Sequence, residues 1–572
     1  MKKLGKIAIS LILAIGLGQA VFGAVYTVTK TVDTNDGTCD TDCSLREAVV
    51  AANATPDNDT IIFGTLFNSA QTITLGGSEI VFANNGSLTI FGTGSDKTTI
   101  SGNNASRIFA SGANVVVNLH NLRFTGGTGV GATNTGRGGA IYNVGGTMTI
   151  SNSVFTGNAA ANGGAMNNAA STGPAVAANL TLVNCLFTNN SSTSSGMALQ
   201  NFSTSFLNVR NSTISNNTTT ATGIAGAIQA NGTVTITNST VSGNTASAGT
   251  GAGVYFNGTS LNMTNTTIVG NSSGVGGGGL HRTGTNSLII RNTIIAGNNG
   301  VAASPDAFGP VNSEGNNIIG NVLGSTGWVA ADLQNTNPIL APLGNYGGIG
   351  LTHSLLSMSP ALNGGQNCVI DLSCAANNPP VAIATDQRGA TRANVDIGAF
   401  EESSSYRAVL PVAVNNQSYS QILTSNIGSF TYTQSGGSLP IGITVNTGGI
   451  IANVSGTPTQ AGVFDFGVNI AGANSALVNY RLYVSPSTTS VFGRIVSPNG
   501  AFSSKVTVLL TSNSGNTIRT TTNPFGYYRF DNVNVGQVYQ VTAASKIFTF
   551  VNNSQFVLVN DAVTAPDITI AP

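Results

Sequence analysis

This chain contains very little charge. Only 7% of its 572 residues are Asp, Glu, Lys or Arg, against roughly 25% in ordinary soluble domains. The 21 basic residues balance 21 acidic ones, and no basic stripe is present that could neutralise a phosphate backbone, on which nucleic-acid binding depends. We therefore expect no nucleic acid among its partners.

Carboxylates are missing altogether from the middle of the chain, where no Asp or Glu lies between Asp96 and Asp306. Glycoside hydrolysis uses a pair of carboxylates and calcium-assisted lyases use clustered acidic ligands, so this segment cannot support either reaction with its own side chains. One catalytic arrangement is still available to this segment: a neutral His281 could abstract a proton beside the positive charge of Arg282, as in a metal-free lyase. The simpler interpretation of these two residues is a solvated cationic pair. We predict no enzymatic activity and no cofactor or metal, with a polysaccharide lyase or hydrolase as the alternative.

Tryptophan and cysteine are also scarce. Trp328 is the only Trp, and sugars usually stack on aromatic rings, so the sequence does not support a deep glycan groove. A shallow contact between a sugar and Tyr142 or Tyr255 is the alternative.

The five cysteines fit an oxidising destination. Cys39 and Cys43 are close enough to bridge around a turn, as are Cys368 and Cys374, and we predict a disulfide for each pair. Cys185 takes a position that Ser or Thr holds in sister segments, so we interpret it as a tolerated small residue.

Seven segments repeat one pattern, in which alternating apolar residues lead to an Asn and a second Asn closes the segment. The aligned residues are Asn121, Asn152, Asn184, Asn211, Asn238, Asn265 and Asn292. From Asn184 onward each step is 27 (211 − 184, 238 − 211, 265 − 238, 292 − 265), which indicates one supersecondary unit stacking on copies of itself. Because the alternation has a period of two, the unit is made of strands, and the aligned Asn side chains should point inward and bond to one another.

These repeats predict an all-β chain whose main domain is a right-handed parallel β-helix of the pectate-lyase-like type, with about ten coils. The segments Gly138–Ile141 and Phe155–Asn158 and their counterparts resemble the polymorphic outer-membrane-protein repeats of bacterial surface β-helices. We expect this β-helix to occupy residues 24–402.

The N-terminal segment carries two signals. Residues 1–23 combine lysines, an apolar run and small residues, which predicts a secretory signal peptide; no later stretch is apolar enough to span a bilayer. Ser44 and Glu47 have capping-box spacing and predict a helix over 43–52 that closes the first coil. The stretch Cys43–Val49 resembles the CSLREA-type segment of exported bacterial β-helix proteins.

The other end of the β-helix is also recognisable. Motifs between about 335 and 402 resemble the choice-of-anchor Q region of such proteins, which implies surface or secreted placement. The charges there, Asp386, Arg388, Asp396 and Glu401, favour a salt-bridged structural cap over a catalytic site. Residues 403–486 resemble the Ig-like repeats of extracellular bacterial proteins, and residues 487–572 resemble the carboxypeptidase regulatory-like β-sandwich, which is non-catalytic.

Together these features predict an exported bacterial protein, secreted or held at the outer cell surface, that acts as a non-catalytic adhesion rod. A carbohydrate or a host or neighbouring surface is the expected ligand, and the rod is expected to be monomeric. An ice- or crystal-binding lattice is a further alternative, suggested by Thr213, Thr240 and Thr267 at one repeat position.

Overall fold

A computed structural model of the chain describes residues 23–571 except 84–85, 174, 302, 375–378, 380, 426–427, 449, 498–504, 513–514, 536 and 560–562. The predicted signal peptide, apart from Gly23, lies outside the described residues. The fold is nearly all β, with 3% helix. Within the described ranges, no helix is both long and apolar enough to cross a membrane.

Residues 25–334 form a parallel β-solenoid of about ten turns, which confirms the predicted fold class. Three long sheets run along it, here named sheets A, B and C, and a shorter sheet D of five strands lies between B and C in the turns from 159 to 273. Sheet A comprises Val25–Val28, Asp59–Phe63, Ser87–Phe91, Val116–His120, Thr147–Ser151, Asn179–Val183, Phe206–Arg210, Thr233–Thr237, Ser260–Thr264, Ser287–Arg291 and Asn312–Ser313. Sheet B comprises Gln71–Thr74, Thr98–Ser101, Arg123–Thr125, Val154–Thr156, Leu186–Thr188, Thr213–Ser215, Thr240–Ser242, Thr267–Val269, Ile294–Ala296, Ile318–Ile319 and Leu333–Gln334.

The other two sheets are sheet C, with ten strands, and sheet D, with five. Sheet C comprises Ile80–Phe82, Phe109–Ser111, Ile141–Val144, Met166–Ala169, Leu199–Asn201, Ile228–Ala230, Val254–Phe256, Leu280–Arg282, Ala307–Pro310 and Ser325–Thr326. Sheet D comprises Ala159–Asn162, Ser191–Ser195, Thr218–Thr219, Thr245–Ala246 and Ser272–Ser273. Like residues stack from coil to coil, as the rings of Phe124, Phe155 and Phe187 do in the core, with centroids 4.6 and 4.4 Å apart.

The seven repeated asparagines do not line this core, so that prediction is wrong. Each has a positive φ, from 48° at Asn265 and Asn292 to 59° at Asn121, because it forms the corner between a strand of sheet A and a strand of sheet B. A left-handed residue interrupts the period-two alternation, and Asn tolerates this conformation better than most residues do. Asn121, Asn152, Asn184 and Asn211 are half-buried at the surface; Asn238, Asn265 and Asn292 are buried beneath residues from 366–398.

The stacking of these corner amides is also discontinuous. Asn184 Nδ2 donates to Asn152 Oδ1 at 2.7 Å, and the pairs Asn238 to Asn211 and Asn292 to Asn265 bond at 3.0 and 3.3 Å. The corner residues therefore stack in pairs on the outside of the solenoid.

The buried ladder is formed instead by the second Asn of each repeat. Its members are Asn158, Asn190, Asn217, Asn244, Asn271 and Asn298, each 7% exposed or less. From Asn158 to Asn271, each member donates its backbone N–H and its Nδ2 to Oδ1 of the next at 2.8–3.1 Å. Asn298 donates both groups to Asp306 Oδ1. A carboxylate suits this end of the ladder because an ionised Asp only accepts hydrogen bonds.

The N-terminal end is closed as predicted. The helix Leu45–Asn53 begins after Ser44, whose Oγ accepts from Glu47 N–H at 3.1 Å while Glu47 Oε2 accepts from Ser44 N–H at 2.7 Å. Leu45, Ala48 and Val49 are fully buried against the first coils. Burial opposes ionisation of Glu47, but hydrogen bonds outweigh it and lower the pKa of this carboxyl to about 2.

The C-terminal region, residues 335–402, covers the side of the solenoid. We call it the lateral cover. It contains the antiparallel strands Leu340–Gly344 and Thr352–Leu355 and the helix Cys368–Asp371. It bonds to the outward threonines of sheet B: Thr213 Oγ1 to Leu351 O at 2.7 Å, Thr240 Oγ1 to Gln387 Oε1 at 2.6 Å, and Ala399 N–H to Thr267 Oγ1 at 2.9 Å. The proposed Thr lattice is therefore buried, and the predicted end cap lies along the side of the rod.

The cysteines behave as predicted. Cys39 is bonded to Cys43 and Cys368 to Cys374. Cys185 is a free, fully buried thiol in its Ser-like position, and burial raises its pKa to about 12.

Two β-sheet domains follow. The first domain has two sheets. Its five-stranded sheet comprises Ala408–Val409, Ala413–Val414, Thr431–Gly437, Gly462–Ala471 and Ser475–Ser485. Its three-stranded sheet comprises Tyr419–Thr424, Ile443–Gly448 and Ile451–Gly456. Its core is continuous with that of the lateral cover, where Tyr346 OH lies 3.4 Å from Tyr432 OH. The last domain comprises Thr488–Val496, Tyr527–Asn534, Val563–Thr564 and Ile568–Thr569 in one sheet, and Thr507–Ser512, Thr517–Thr521, Gln537–Ala544 and Ser554–Val559 in the other.

Candidate functional site

The lateral cover buries five charged side chains, those of Asp386, Arg388, Arg392, Asp396 and Glu401, whereas Asp371 and Glu402 are exposed. Asp386 accepts hydrogen bonds from the N–H groups of Arg388, Ala390 and Glu401 and from Arg388 Nε, all at 2.8–3.0 Å. The Arg388 guanidinium also lies 3.5 Å from the ring centroid of Phe400. Because every one of these partners belongs to the cover itself, the cluster has the geometry of a structural support.

Arg392, which the sequence reasoning did not single out, joins the cover to the solenoid. Its side chain is fully buried and donates to Glu401 Oε2 at 2.8 Å and to Asn238 Oδ1 at 2.8 Å. Burial raises the pKa of Glu401 to about 7, against the lowering effects of Arg392 and of the Asp396 N–H. Asp396 in turn accepts from the N–H groups of Asn363 and Glu402. The high density of charged residues between Asp386 and Glu401 is the sequence feature that could have pointed to Arg392.

His281 and Arg282 do not form a joint site. They are consecutive residues of one strand, so their side chains leave on opposite faces of sheet C. The His281 ring stacks between Tyr255 and Phe308, with centroids 5.5 and 4.6 Å away, and burial lowers its pKa. Arg282 is 5% exposed and donates to the carbonyls of Pro310 and Asn286. A base assisted by an adjacent cation is therefore not assembled here.

The outer side of sheet A is a regular open surface, which we call face A. One column of aligned, half-buried polar side chains runs along its centre: Thr60, Thr89, Asn118, Thr149, Thr181, Asn208, Thr235 and Asn262. At roughly 4.8 Å per strand, these eight rungs span about 34 Å. No Asp or Glu occurs in the strands from Ser87–Phe91 to Ser287–Arg291.

Exposed apolar residues flank this column. Phe91, Val116 and Phe206 are 43%, 36% and 48% exposed, and the Phe91 ring stacks on His120 at 4.8 Å. Face A therefore combines hydroxyl and amide groups with apolar contact area and almost no charge. The sequence contains this pattern, since the middle residue is polar between two inward apolar residues in six of the seven repeated strands; the exception is Ile289 in Ser287–Arg291.

Comparison with known proteins identifies one part of the chain. Residues 403–485 match the family described as "Putative Ig domain", which agrees with the prediction for this segment. No protein of curated function matches the chain.

Several solved structures match parts of the chain. The Bacillus anthracis TIE protein is 12% identical over 25% of this chain and 34% of its own, with a TM-score of 0.15. BcpA, the major pilin subunit of Bacillus cereus, is 11% identical over 27% of this chain and 57% of its own, with a TM-score of 0.14. A Streptococcal ancillary pilin is 14% identical over 22% of this chain and 50% of its own, with a TM-score of 0.13. The matched segments thus span about a third to just over half of these proteins, and the likenesses are too low to inform function.

Proposed function

We propose that this protein is a non-catalytic adhesion rod, exported and displayed at or released from a bacterial cell surface, that binds glycans or other extended uncharged surfaces. The CSLREA-like stretch, the choice-of-anchor Q-like region and the carboxypeptidase regulatory-like domain are part of this proposal. Face A is the observation that carries it.

The physical case rests on repetition. Each rung of face A offers one hydroxyl or amide, a contact that contributes little alone because it replaces a hydrogen bond to water. Rungs at a fixed spacing engage a repetitive ligand together, so later contacts form at high effective concentration. The near absence of charge favours neutral ligands, since charged ones gain no complementary partner.

Two further features support export and the absence of catalysis. Two disulfides are typical of proteins in oxidising compartments. The carboxylates of the lateral cover are tied into buried hydrogen bonds, whereas a glycosidase needs two carboxyl groups flanking a bound sugar.

The test compares two triple variants of residues 24–572. The first set is Thr149, Thr181 and Thr235 on face A, in which the coil of Asn208 separates the last two. The second set is Thr125, Thr156 and Thr188 on the uncovered part of sheet B. All six threonines are half-buried. Each set is changed to Lys, and binding to cellulose and chitin particles and to a glycan array is measured. We expect the face A variant to lose at least tenfold in affinity and the sheet B variant to bind like the wild type. Equal binding by both variants, or release of sugar products by the wild type, would contradict the proposal.

A further inference from the structure

A second ladder of amides, on the outer side of sheet C, ends differently from the buried Asn ladder. Asn167 Nδ2 donates to Gln200 Oε1 at 2.7 Å, and Gln200 Nε2 donates to Gln229 Oε1 at 2.8 Å. Both of these donors point toward the C-terminal coils, and Gln200 Nε2 also donates to Ser195 Oγ of its own coil at 2.9 Å. The next rung is Tyr255, whose ring offers no amide acceptor, so among the described residues Gln229 Nε2 has no hydrogen-bond acceptor.

This last amide lines a groove. Gln229 is only 3% exposed, yet it borders a cavity of about 640 Å³ on the outer side of the solenoid, beside sheet D. Its wall also carries the hydroxyls of Thr193, Ser194, Ser195, Thr220 and Thr222 and the side chain of Ile224. Its volume lies within the range of about 300–1,000 Å³ that is typical of small-ligand sites.

The lining restricts the ligand. None of the described residues that line the cavity is charged, so an anionic or cationic ligand would lose its hydration without a compensating partner. The wall carries five hydroxyls and one unused amide donor, and Ile224, 36% exposed, supplies the largest apolar contact. Hydroxyl groups at several positions and a small apolar surface are what a neutral sugar ring presents to a protein.

We infer that this groove, which we call the Gln229 groove, binds one or a few residues of a neutral glycan, with Gln229 Nε2 donating to a sugar oxygen. The inference rests on the proposed function, because it gives the rod a specific sugar-recognition site separate from the extended face A. A peptide is disfavoured because the lining offers neither a charged group nor a deep apolar pocket for a side chain.

The test removes the donor while keeping the ladder intact. In Gln229→Glu the carboxylate can still accept from Gln200 Nε2 but cannot donate into the groove; Gln229→Met removes both functions at similar volume. Thr245→Val is the matched control, since Thr245 is exposed on sheet D and does not line the cavity. Calorimetric titrations of residues 24–572 use neutral gluco-, manno- and N-acetylgluco-oligosaccharides of two to six units, oligogalacturonates and an uncharged peptide, and thermal midpoints verify folding.

We expect at least one neutral oligosaccharide to bind, with affinity lowered tenfold or more in Gln229→Glu and less than twofold in Thr245→Val. Unchanged affinity in a folded Gln229→Glu variant overturns the inference, as does tighter binding of oligogalacturonate or of the peptide. If no neutral oligosaccharide binds while the wild type still adheres to particles through face A, the groove assignment fails and the adhesion function stands. A wild-type protein that binds neither the neutral oligosaccharides nor the cellulose and chitin particles would reject both the groove assignment and the adhesion function.

Discussion

The inner Asn ladder of the solenoid and the lateral cover satisfy their buried polar side chains by different means. In the solenoid, neutral amides such as Asn217 and Asn244 bond to copies of themselves one coil away. In the lateral cover, the charged groups of Arg392 and Glu401 bond to each other. Repetition makes the first solution available, because each coil supplies both a donor and an acceptor at the same place. The cover has no repeat, so it satisfies its buried groups with ion pairs.

Breaking the ion pair of the cover with Arg392→Met should have the largest effect on stability. The substitution leaves Glu401 and Asn238 Oδ1 buried without their partner, and breaking a buried pair in this way costs about 3–5 kcal/mol. Urea unfolding followed by Trp328 fluorescence measures the solenoid, because this single Trp packs against its core. Arg210→Met is the control: Arg210 is half-buried on sheet A and should cost less than about 0.5 kcal/mol. Similar midpoints for both variants would show that the cover does not stabilise the rod.

Asn217→Leu tests the neutral ladder. Asn217 Nδ2 donates to the carbonyls of Phe187 and Ser215 and to Asn244 Oδ1, and Oδ1 accepts from Asn190. Since its loss leaves several buried groups unpaired, we expect a cost of about 2–3 kcal/mol in the same unfolding assay.

The control for this ladder is Asn184→Gly on the outer corner, which keeps the positive φ and removes one hydrogen bond, to Asn152. Its cost should stay below about 1 kcal/mol, since this group is half-buried. An equal or larger loss in Asn184→Gly would reverse the assignment of inner and outer ladders.

The sequence predicted the repetitive region better than the cover, for physical reasons. A fixed step of 27 and alternation at Met148 and Ile150 specify stacked strands, and the spacing of Ser44 and Glu47 specifies a helix start. Which Asn points inward depends on the left-handed backbone at Asn152, a conformation that a pattern of apolar residues does not record. Residues 335–402 lie along the side of the solenoid because of contacts such as the one between Thr240 and Gln387. These two residues are 147 positions apart in the chain, so no local sequence pattern indicates that they meet.

The N-terminal cap extends the comparison to a charged group whose contribution to stability depends on pH. The pKa of Glu47 falls to about 2 in the folded chain, below the value of about 4.3 expected when unfolded. Its contribution is therefore complete above the unfolded value and is lost as the pH falls toward 2. Glu47→Gln should destabilise by about 1–2 kcal/mol at pH 7, because a neutral amide accepts the hydrogen bonds from Ser44, Thr34 and Asp36 more weakly than the carboxylate does, and the difference from the wild type should shrink between pH 5 and pH 2. A difference that stays constant over this range would show that the Glu47 charge does not contribute.

Cys185→Ser should have the smallest effect, because it makes one coil identical to its neighbours at that position. The Cys185 N–H donates to Ser212 Oγ at 3.0 Å, and Ser212 N–H donates to Ser239 Oγ at 3.1 Å. A serine at 185 would extend this inner row of hydroxyls, so we expect a change of less than about 1 kcal/mol in the Trp328 assay. The native thiol, fully buried with its pKa raised to about 12, should also resist labelling by a thiol reagent until the solenoid unfolds. Rapid labelling of the native protein, or a loss above about 2 kcal/mol in Cys185→Ser, would contradict a purely structural role for this residue.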